Sequence, residues 1–283
     1  MLLNELLGGY SMRFVCETVS KDGTRKYAFR LKDGRIIESV LIFHKRTTSA
    51  CLSSQVGCAM GCSFCATGKM GFSRNLSTDE IVGQFDFMSD RFPITNVVFM
   101  GMGEPLHNYD NVVGAIRILR SKGLSWRKIT VSTVGIPDRI RMLGRDEKCM
   151  LALSLHAPDD ELRSKIVKVN DRFPISELVS ACKDFPATRH SPIMIEYVML
   201  SNVNDSVECA KKLAALLSDL PFVMVNLIPF NPSRSINYSK PSDDSILAFK
   251  SVLISKGFKT IIRTAKGVED SAACGQLAAN LNS

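Results

Sequence analysis

Three cysteines with CxxxCxxC spacing are the residues of this sequence best suited to bind a metal group: Cys58, Cys62 and Cys65. They follow the first predicted strand of an α/β fold, where loop residues assemble active sites. Three thiolates suit a 4Fe-4S cluster and would leave one of its irons without a protein ligand. Thiolates also suit zinc, and Cys51 could supply the fourth ligand of a closed structural zinc site. The spacing alone leaves both interpretations open.

The remaining cysteines favour no disulfide framework. The chain has nine cysteines, an odd number, and we expect it to fold in a reducing compartment. Cys16, Cys149, Cys182 and Cys209 lie in apolar or helical surroundings, so we expect inert packing residues there.

No apolar run of the sequence approaches the roughly 18 residues that span a bilayer, and the first residues lack the pattern of a signal peptide. We therefore expect a cytoplasmic protein without membrane contact.

Positive charge exceeds negative charge in this chain. Its 36 Lys and Arg residues against 28 Asp and Glu residues give a net charge of +8 and a pI near 9.0. Counterion release would favour a polyanionic partner such as RNA or DNA. The basic residues are scattered along the chain, so charge alone does not decide whether nucleic acid is bound.

The elements that must position the cysteines differ before and after Cys51. In the first fifty residues polar and apolar positions alternate, with turn signals at Asp22-Gly23 and Asp33-Gly34, which predicts a small antiparallel β-meander. After Cys51, short apolar runs alternate with helical patterns, as in βα units around a parallel sheet. We therefore predict an α/β fold with a partial barrel. The meander would occupy residues 1–48, and the barrel with a C-terminal segment would occupy residues 49–283.

Seven strands and four helices are predicted for the barrel. The strands are 50–56, 95–102, 128–133, 150–156, 192–200, 223–228 and 259–264, and the helices are 77–91, 109–122, 205–218 and 243–256. The first of these helices opens with a capping box formed by Ser77 and Glu80.

Further motifs carry a family resemblance. Phe64 before the last cysteine, and the turn Gly101-Met102-Gly103-Glu104-Pro105 after the second predicted barrel strand, resemble a radical S-adenosylmethionine enzyme. The resemblance narrows to the RlmN/Cfr family of RNA adenosine methyltransferases, whose pattern is matched in order by the blocks 51–58, 65–68, 75–78, 154–158, 195–200, 226–232 and 272–277. It covers nearly the whole chain. It implies a radical SAM barrel, a 4Fe-4S cluster held by Cys58, Cys62 and Cys65, and S-adenosylmethionine as the cosubstrate.

The resemblance also implies three catalytic residues. In the family, one S-adenosylmethionine methylates a C-terminal cysteine, which by position is Cys274. A second is cleaved to a 5′-deoxyadenosyl radical, which removes hydrogen from the S-methyl group so that the resulting carbon radical adds to adenine. A second cysteine, which matches Cys51, attacks the sulfur to release the product, and a disulfide bond is implied with it. The proton acceptor aligns with Glu38, thirteen residues before Cys51.

Each of these three residues has a simpler interpretation. Cys274 lies between small residues and Cys51 lies in an apolar segment, so both could be packing thiols. Glu38 belongs to a strand that we expect to be exposed, where a carboxylate is ordinarily solvated.

S-adenosylmethionine would be bound at the carboxyl ends of the barrel strands. Gly103 would let the backbone approach closely, and Glu104 would accept a charge-assisted hydrogen bond from the α-ammonium group. The family pattern adds Ser132, Ser154, Leu155, His156 and Asn231. Asn231, which precedes a proline, could instead form a turn, and His156 could be a neutral histidine with a structural hydrogen bond.

The resemblance implies methylation of carbon 2 of an adenosine in 23S ribosomal RNA, with transfer RNA as a further substrate. Methylation of carbon 8, as in Cfr, is the nearest alternative, and a noncatalytic iron–sulfur or zinc protein that binds RNA is a rival of another class. The joint presence of Cys51, Glu38 and Cys274 argues against that rival. A flavodoxin- or ferredoxin-like electron donor and a monomeric state are also implied.

The sequence departs from the family in two places. Full-length members carry an N-terminal helical domain and a basic C-terminal extension, whereas here Met1–Ser11 precede the meander. We therefore expect the chemistry to be intact and the affinity for RNA to be altered. The segment 263–271 also departs from the commoner pattern, so the loop geometry near Cys274 can differ.

Overall fold

One ten-stranded sheet organises the molecule. The computed structural model describes residues 12–232, 236–269 and 271–278, so residues 1–11 and position 270 of the segment 263–271 lie outside the described residues. The described strands are β1 Met12–Val19, β2 Arg25–Leu31, β3 Ile36–Phe43, β4 Thr48–Cys51, β5 Gln55–Gly57, β6 Phe72–Asn75, β7 Asn96–Phe99, β8 Ile129–Thr133, β9 Met150–Ser154, β10 Ile193–Met199, β11 Val223–Pro229 and β12 Lys259–Ile262.

The large sheet has an antiparallel part and a parallel part. Its order is β1-β2-β3-β4-β7-β8-β9-β10-β11-β12. Strands β1 to β4 pair antiparallel, and every pairing from β4 to β12 is parallel. The hairpin turns of the meander lie at Gly23 and Gly34, both with φ of 83°, a conformation that glycine adopts readily. The predicted α/β class, with a meander ahead of a partial barrel, is confirmed.

Helices connect the parallel strands. They are α1 Ala66–Lys69, α2 Thr78–Ser89, α3 Tyr109–Ser121, α4 Pro137–Asp146, α5 Asp160–Ile166, α6 Ile175–Asp184, α7 Val207–Leu217 and α8 Asp243–Ser255, with 3-10 turns at Pro105–Asn108, Trp126–Lys128 and Lys168–Asp171. The predicted capping box is present: the Ser77 hydroxyl accepts from the Glu80 N–H, and the Glu80 carboxylate accepts from the Ser77 N–H.

The first predicted barrel strand, residues 50–56, is divided. Strand β4 ends at Cys51, and Gln55–Gly57 pairs instead with β6 in a separate hairpin. Between them, the Ser53 N–H donates to the side-chain oxygen of Gln84 at 2.8 Å, and the Ser53 hydroxyl donates to the Glu38 carbonyl at 2.5 Å. Side chains therefore replace strand neighbours as partners of this polar segment, and the strand breaks there.

The core is continuous from the meander to the barrel. Buried side chains of β2 and β3, such as Phe29 and Leu41, belong to the same apolar cluster as Val131 and Ile195 in the parallel strands. The sheet also crosses the boundary after residue 48, because β3 pairs with β4. The division into residues 1–48 and 49–283 stays a prediction. Within the described residues, no helix combines the length and apolar character needed to cross a membrane.

Candidate active site

Backbone hydrogen bonds fix the loop that carries the three cysteines at its start and in its middle. It leaves β5 at Gly57, whose φ is 75°, and the Cys58 N–H donates to the Gly71 carbonyl at 2.9 Å. In the middle of the loop, the Ser63 N–H donates to the carbonyl of Ile166 at the end of α5, at 3.0 Å. The β5–β6 hairpin and α5 therefore hold the loop against the open end of the barrel.

The three thiols face one cavity of about 150 Å³, called the inner cavity below. Its lining includes Cys58, Cys62, Cys65, Gly103, Glu104, Ser132, Ser154, His156, Glu196, Asn231, Arg263 and Cys274. The structure thus brings together the predicted ligands and most of the residues predicted to bind S-adenosylmethionine.

The donor set fits an iron–sulfur cluster. Burial raises the pKa of Cys58 to about 12 and also raises the pKa values of Cys62 and Cys65, so these thiols ionise when a metal replaces their protons. Among the described residues, no three His, Cys, Asp or Glu side chains form a site for a single metal ion. Cys51 lines a different cavity, so the alternative of a four-cysteine zinc site lacks support. Three soft ligands in one cavity suit a cubane with one open iron.

The turn after β7 requires glycine and buries a carboxylate. A Cβ on Gly103 would lie 2.5 Å from the Gln55 Cβ, and Gly103 has a φ of 100°. The Glu104 carboxylate accepts from the backbone N–H groups of Leu106 and Val134, both at 2.9 Å. Burial raises the pKa of Glu104, while the Val134 N–H opposes that shift. Its proposed contact with an ammonium group stays a prediction.

Polar side chains mark the ends of three parallel strands. The hydroxyls of Ser132 and Ser154, at the ends of β8 and β9, lie 3.3 Å apart. Asn231 follows β11, and its side-chain N–H donates to the Cys274 carbonyl at 3.5 Å. Leu155 differs, because its side chain is fully buried in the apolar core and only its backbone faces polar groups.

His156 is a neutral hydrogen-bond acceptor. Its Nδ1 accepts from the Val198 N–H at 3.0 Å, which places any ring proton on Nε2. Burial lowers the pKa of His156 to about 3, and the charge of Arg163 lowers it further. The ring contacts Phe64 edge-on, with centroids 4.8 Å apart. The residue thus links the cysteine loop to β10.

Sequence reasoning missed the buried Arg163. It is fully buried on α5 and donates to the carbonyls of Leu155 at 3.0 Å and Ser154 at 3.3 Å, to the Val134 carbonyl, and to the Asn170 side chain at 2.9 Å. It therefore fixes the backbone at the ends of β8 and β9. The available signal was its position three residues before the buried Ile166, on the inward face of the helix.

Cys51 and Cys274 line a second, larger cavity of about 600 Å³, called the outer cavity below. Burial raises the pKa of Cys51 to about 12; the charge of Cys274 raises it further and that of Arg263 opposes it. All nine cysteines lie in the described residues and are free thiols, so the disulfide bond implied by the resemblance is absent. The expectation of packing cysteines holds for the buried Cys149 and Cys182 and for Cys209, which packs half-buried against the core, but it is wrong for Cys16, which is exposed.

Glu38 is not the solvated carboxylate that an exposed strand would give. It is 2% exposed, its Oε1 lies 3.1 Å from the Lys26 ammonium group, and its Oε2 accepts from the Ala278 N–H at 3.0 Å. The prediction of an exposed strand was wrong because β3 lies inside the sheet, between β2 and β4. Glu38 is not among the described residues that line either cavity, but it shares a strand face with Val40, which lines the outer cavity.

Comparisons with known proteins agree with this geometry. Residues 52–214 match the radical SAM superfamily. A solved radical SAM methyltransferase from Sphaerobacter thermophilus superposes with a TM-score of 0.91 and 42% identity, covering 96% of this chain and 82% of that one. The dual-specificity RNA methyltransferases RlmN of Geobacter sulfurreducens and Alcanivorax borkumensis are 48% and 46% identical, over 93% and 92% of this chain and 74% and 72% of those proteins.

The fold and the cysteine loop define a radical SAM enzyme of the methyltransferase class. Within that class, the chain belongs to the RlmN family of RNA methyltransferases.

Proposed function

We propose that this enzyme methylates carbon 2 of an adenosine in 23S ribosomal RNA, with transfer RNA as a second substrate, through a methyl group carried on Cys274. One observation carries the proposal. Cys274 lines both the inner cavity, with the three clustered cysteines, and the outer cavity, with Cys51. A group attached to its sulfur can therefore face the cofactors on one side and the RNA on the other.

The inner cavity is proposed as the cofactor site. Cys58, Cys62 and Cys65 would hold the 4Fe-4S cluster, and Gly103, Glu104, Ser132, Ser154, Leu155, His156 and Asn231 would bind S-adenosylmethionine. When bound, the cluster supplies the electron that cleaves S-adenosylmethionine reductively. The apolar side chains Phe64 and Phe230 in the lining limit water around the reacting groups.

The outer cavity is proposed as the adenine site. Its volume of about 600 Å³ falls in the usual range for small-ligand pockets. A base enters such a pocket by leaving its stack, as in other enzymes that modify bases. Carbon 2 of adenine is electron-poor and has no lone pair, so transfer of a methyl cation to it is unfavourable, and the methyl carbon on Cys274 is activated as a radical centre instead.

Two further residues would complete the reaction. Cys51 attacks the Cys274 sulfur, so the bond from that sulfur to the methylene carbon breaks, and the carbon keeps the electron pair and takes a proton to become the methyl group. A transient Cys51–Cys274 disulfide forms at the same time, and a dithiol reductant must reduce it to restore the free thiols. Because burial raises the pKa of Cys51 to about 12, this thiol must lose its proton at that step. The positive charge of Arg263, which lines both cavities, favours this ionisation. Glu38 takes the proton from the adenine carbon. Its carboxylate is held for this task by Lys26 and by the Ala278 N–H.

The reaction requires an electron donor in the same compartment as the RNA. We propose a flavodoxin- or ferredoxin-like donor, a cytoplasmic location and a monomeric enzyme.

Nucleoside analysis tests the proposal. RNA from cells that contain the gene should hold 2-methyladenosine, and RNA from a deletion strain should lack it unless the wild-type gene, but not a Cys274→Ala copy, is restored. Liquid chromatography with mass spectrometry separates the isomers. A loss of 8-methyladenosine instead would assign the reaction to carbon 8, and unchanged adenosine methylation would support a noncatalytic RNA-binding protein.

Binding to RNA should weaken steeply with salt. The net charge is +8, and Lys45, Arg263 and Lys266 line the outer cavity, where they can contact phosphates. Three phosphate contacts would lower the affinity about 20- to 40-fold between about 50 and about 200 mM salt. Filter binding at the two concentrations, with target and scrambled RNA, measures this effect.

Lys45→Ala should reduce the slope of log affinity against log salt by about one. Lys183→Ala is the matched control, because Lys183 lies on α6 and pairs with Asp219. An affinity that does not depend on salt would show that base contacts dominate.

A further inference from the structure

One oxygen of a buried carboxylate in the inner cavity lacks a hydrogen-bond donor. Glu196, halfway along β10, is 3% exposed, and its Oε1 accepts from the Asn226 side chain at 2.8 Å. Its Oε2 has no hydrogen-bond partner among the described residues. The nearest cation, Arg263, lies 3.8 Å from Oε2, beyond hydrogen-bond reach. Because an unsatisfied buried carboxylate costs free energy, this oxygen indicates a place for a ligand.

Neighbouring polar groups define the form of that place. The parallel register sets Glu196 beside Ser154 of β9 and Asn226 of β11. Ser132 extends the row, since its hydroxyl lies 3.3 Å from that of Ser154. Glu196, Ser132 and Ser154 all line the inner cavity. A row of polar side chains thus crosses the inner wall of the barrel and ends at Oε2 of Glu196. When the carboxylate is ionised, this oxygen accepts hydrogen bonds and cannot donate them.

A ligand that binds beside Ser132, Ser154 and Glu196 must therefore present a hydroxyl or amine donor to Oε2 of Glu196. A ribose offers two adjacent hydroxyls, and acidic side chains that accept from a ribose hydroxyl recur in nucleotide-binding folds. The α-ammonium group and the 6-amino group of the adenine are the other donors of S-adenosylmethionine, and the amino group presents no adjacent pair of hydroxyls. Glu104 lies beside the cysteine loop in the same cavity and is the carboxylate proposed for that group.

We infer that Glu196 binds the ribose diol of S-adenosylmethionine through Oε2. The inference rests on the proposed function, because it assigns part of the same cofactor site. Glu196 is then a binding residue that orients the nucleoside half of the cofactor within the barrel. The residues transferred from the family pattern do not include it, and Asn226 becomes the residue that holds its carboxylate in place.

Binding of nucleosides with and without the diol tests the inference. The probes are 5′-methylthioadenosine, which has the diol but no amino-acid portion, and its 2′,3′-dideoxy analogue, titrated calorimetrically into the anaerobically reconstituted holoenzyme. Glu196→Met should weaken binding of 5′-methylthioadenosine about 10- to 150-fold, and Glu196→Gln, which keeps one acceptor, should weaken it less. The dideoxy analogue should bind wild-type enzyme with a similar loss and should be insensitive to either substitution.

Controls separate this contact from a structural effect. Glu147→Met removes another buried carboxylate, which pairs with Arg117 at 3.0 Å outside both cavities, and should leave the affinity unchanged. Iron content and thermal melting show whether each variant is folded, and the comparison of the two ligands on wild-type enzyme does not depend on any variant.

Three results would overturn the inference. The first is equal affinity of wild-type enzyme for the two nucleosides, and the second is an equal loss of affinity for both nucleosides in Glu196→Met. The third is a loss of affinity in Glu196→Met for S-adenosylmethionine but not for the nucleosides, which would assign Glu196 to the ammonium group. Each of these leaves the proposed function standing. A wild-type holoenzyme that binds neither S-adenosylmethionine nor 5′-methylthioadenosine would overturn the proposed function itself.

Discussion

The Cys51→Ala protein should become covalently attached to its RNA. In the proposed reaction the methylene carbon joins the Cys274 sulfur to adenine, and the Cys51 thiol is the group that releases it. Without that thiol the reaction should halt after the carbon–carbon bond has formed. Incubation with RNA, reductant and S-adenosylmethionine, followed by a denaturing gel, should show a band of reduced mobility that contains both protein and RNA.

The Cys274→Ala protein should give neither product nor attached RNA, because it cannot receive the methyl group. It should still bind iron through the other three cysteines. Cys16→Ala is the matched control for loss of a thiol, since Cys16 is exposed on β1, outside both cavities, and it should behave as wild type. The covalent route is wrong if the Cys51 variant shows no shifted band, and attachment by the Cys274 variant would be equally damaging.

Anaerobically prepared protein should be brown and should hold about four irons per chain. Changing Cys58, Cys62 or Cys65 to Ala should remove most of this iron and stop methylation, because all three thiols line the inner cavity and each would hold one iron of the cluster. The loss of iron is measured by elemental analysis and by the visible absorbance of the sulfur-to-iron charge-transfer bands.

Cys149→Ala provides the comparison for that experiment. Cys149 is buried just before β9, and burial raises its pKa to about 12 as it does for Cys58, but it lines neither cavity. This variant should keep its iron. A colourless wild-type protein that holds zinc and takes up no iron on reconstitution would contradict the radical mechanism.

Local patterns predicted most of the fold. The apolar runs 128–133 and 259–264 became β8 and β12, and the capping box at Ser77 starts α2 as expected. These signals depend on neighbouring residues alone, so they can be read from the sequence. The exposed character assigned to β3 failed because it depends on what covers the strand, namely β4 on one edge and the segment around Ala278 at its carboxylate.

The sequence predicted residues for the reactive roles, which stay proposals, and it missed the buried residues that support the site. The three clustered cysteines could be found because their spacing is local, and Cys51 and Cys274 came from a family resemblance. Arg163 and Glu196 could not be found in that way. Their importance comes from partners distant in sequence: Arg163 holds the Val134 and Ser154 carbonyls, and Glu196 lies beside Asn226. The sequence signal for such residues is a charged residue at a position that the apolar pattern of a helix or strand assigns to the interior.

The pairing of β3 with β4 has a consequence for how this enzyme tolerates insertions. Val40 lies opposite Cys51, and Glu38 shares their face of the sheet, so the strand register sets the relation between the proposed proton acceptor and the proposed resolving thiol. The loop at residues 44–47 can therefore change in length without moving either group. A single residue inserted between Glu38 and Val40, however, would turn the carboxylate to the opposite face. The separation of thirteen residues along the chain is thus incidental, and the alignment of two strands sets the distance between these two groups.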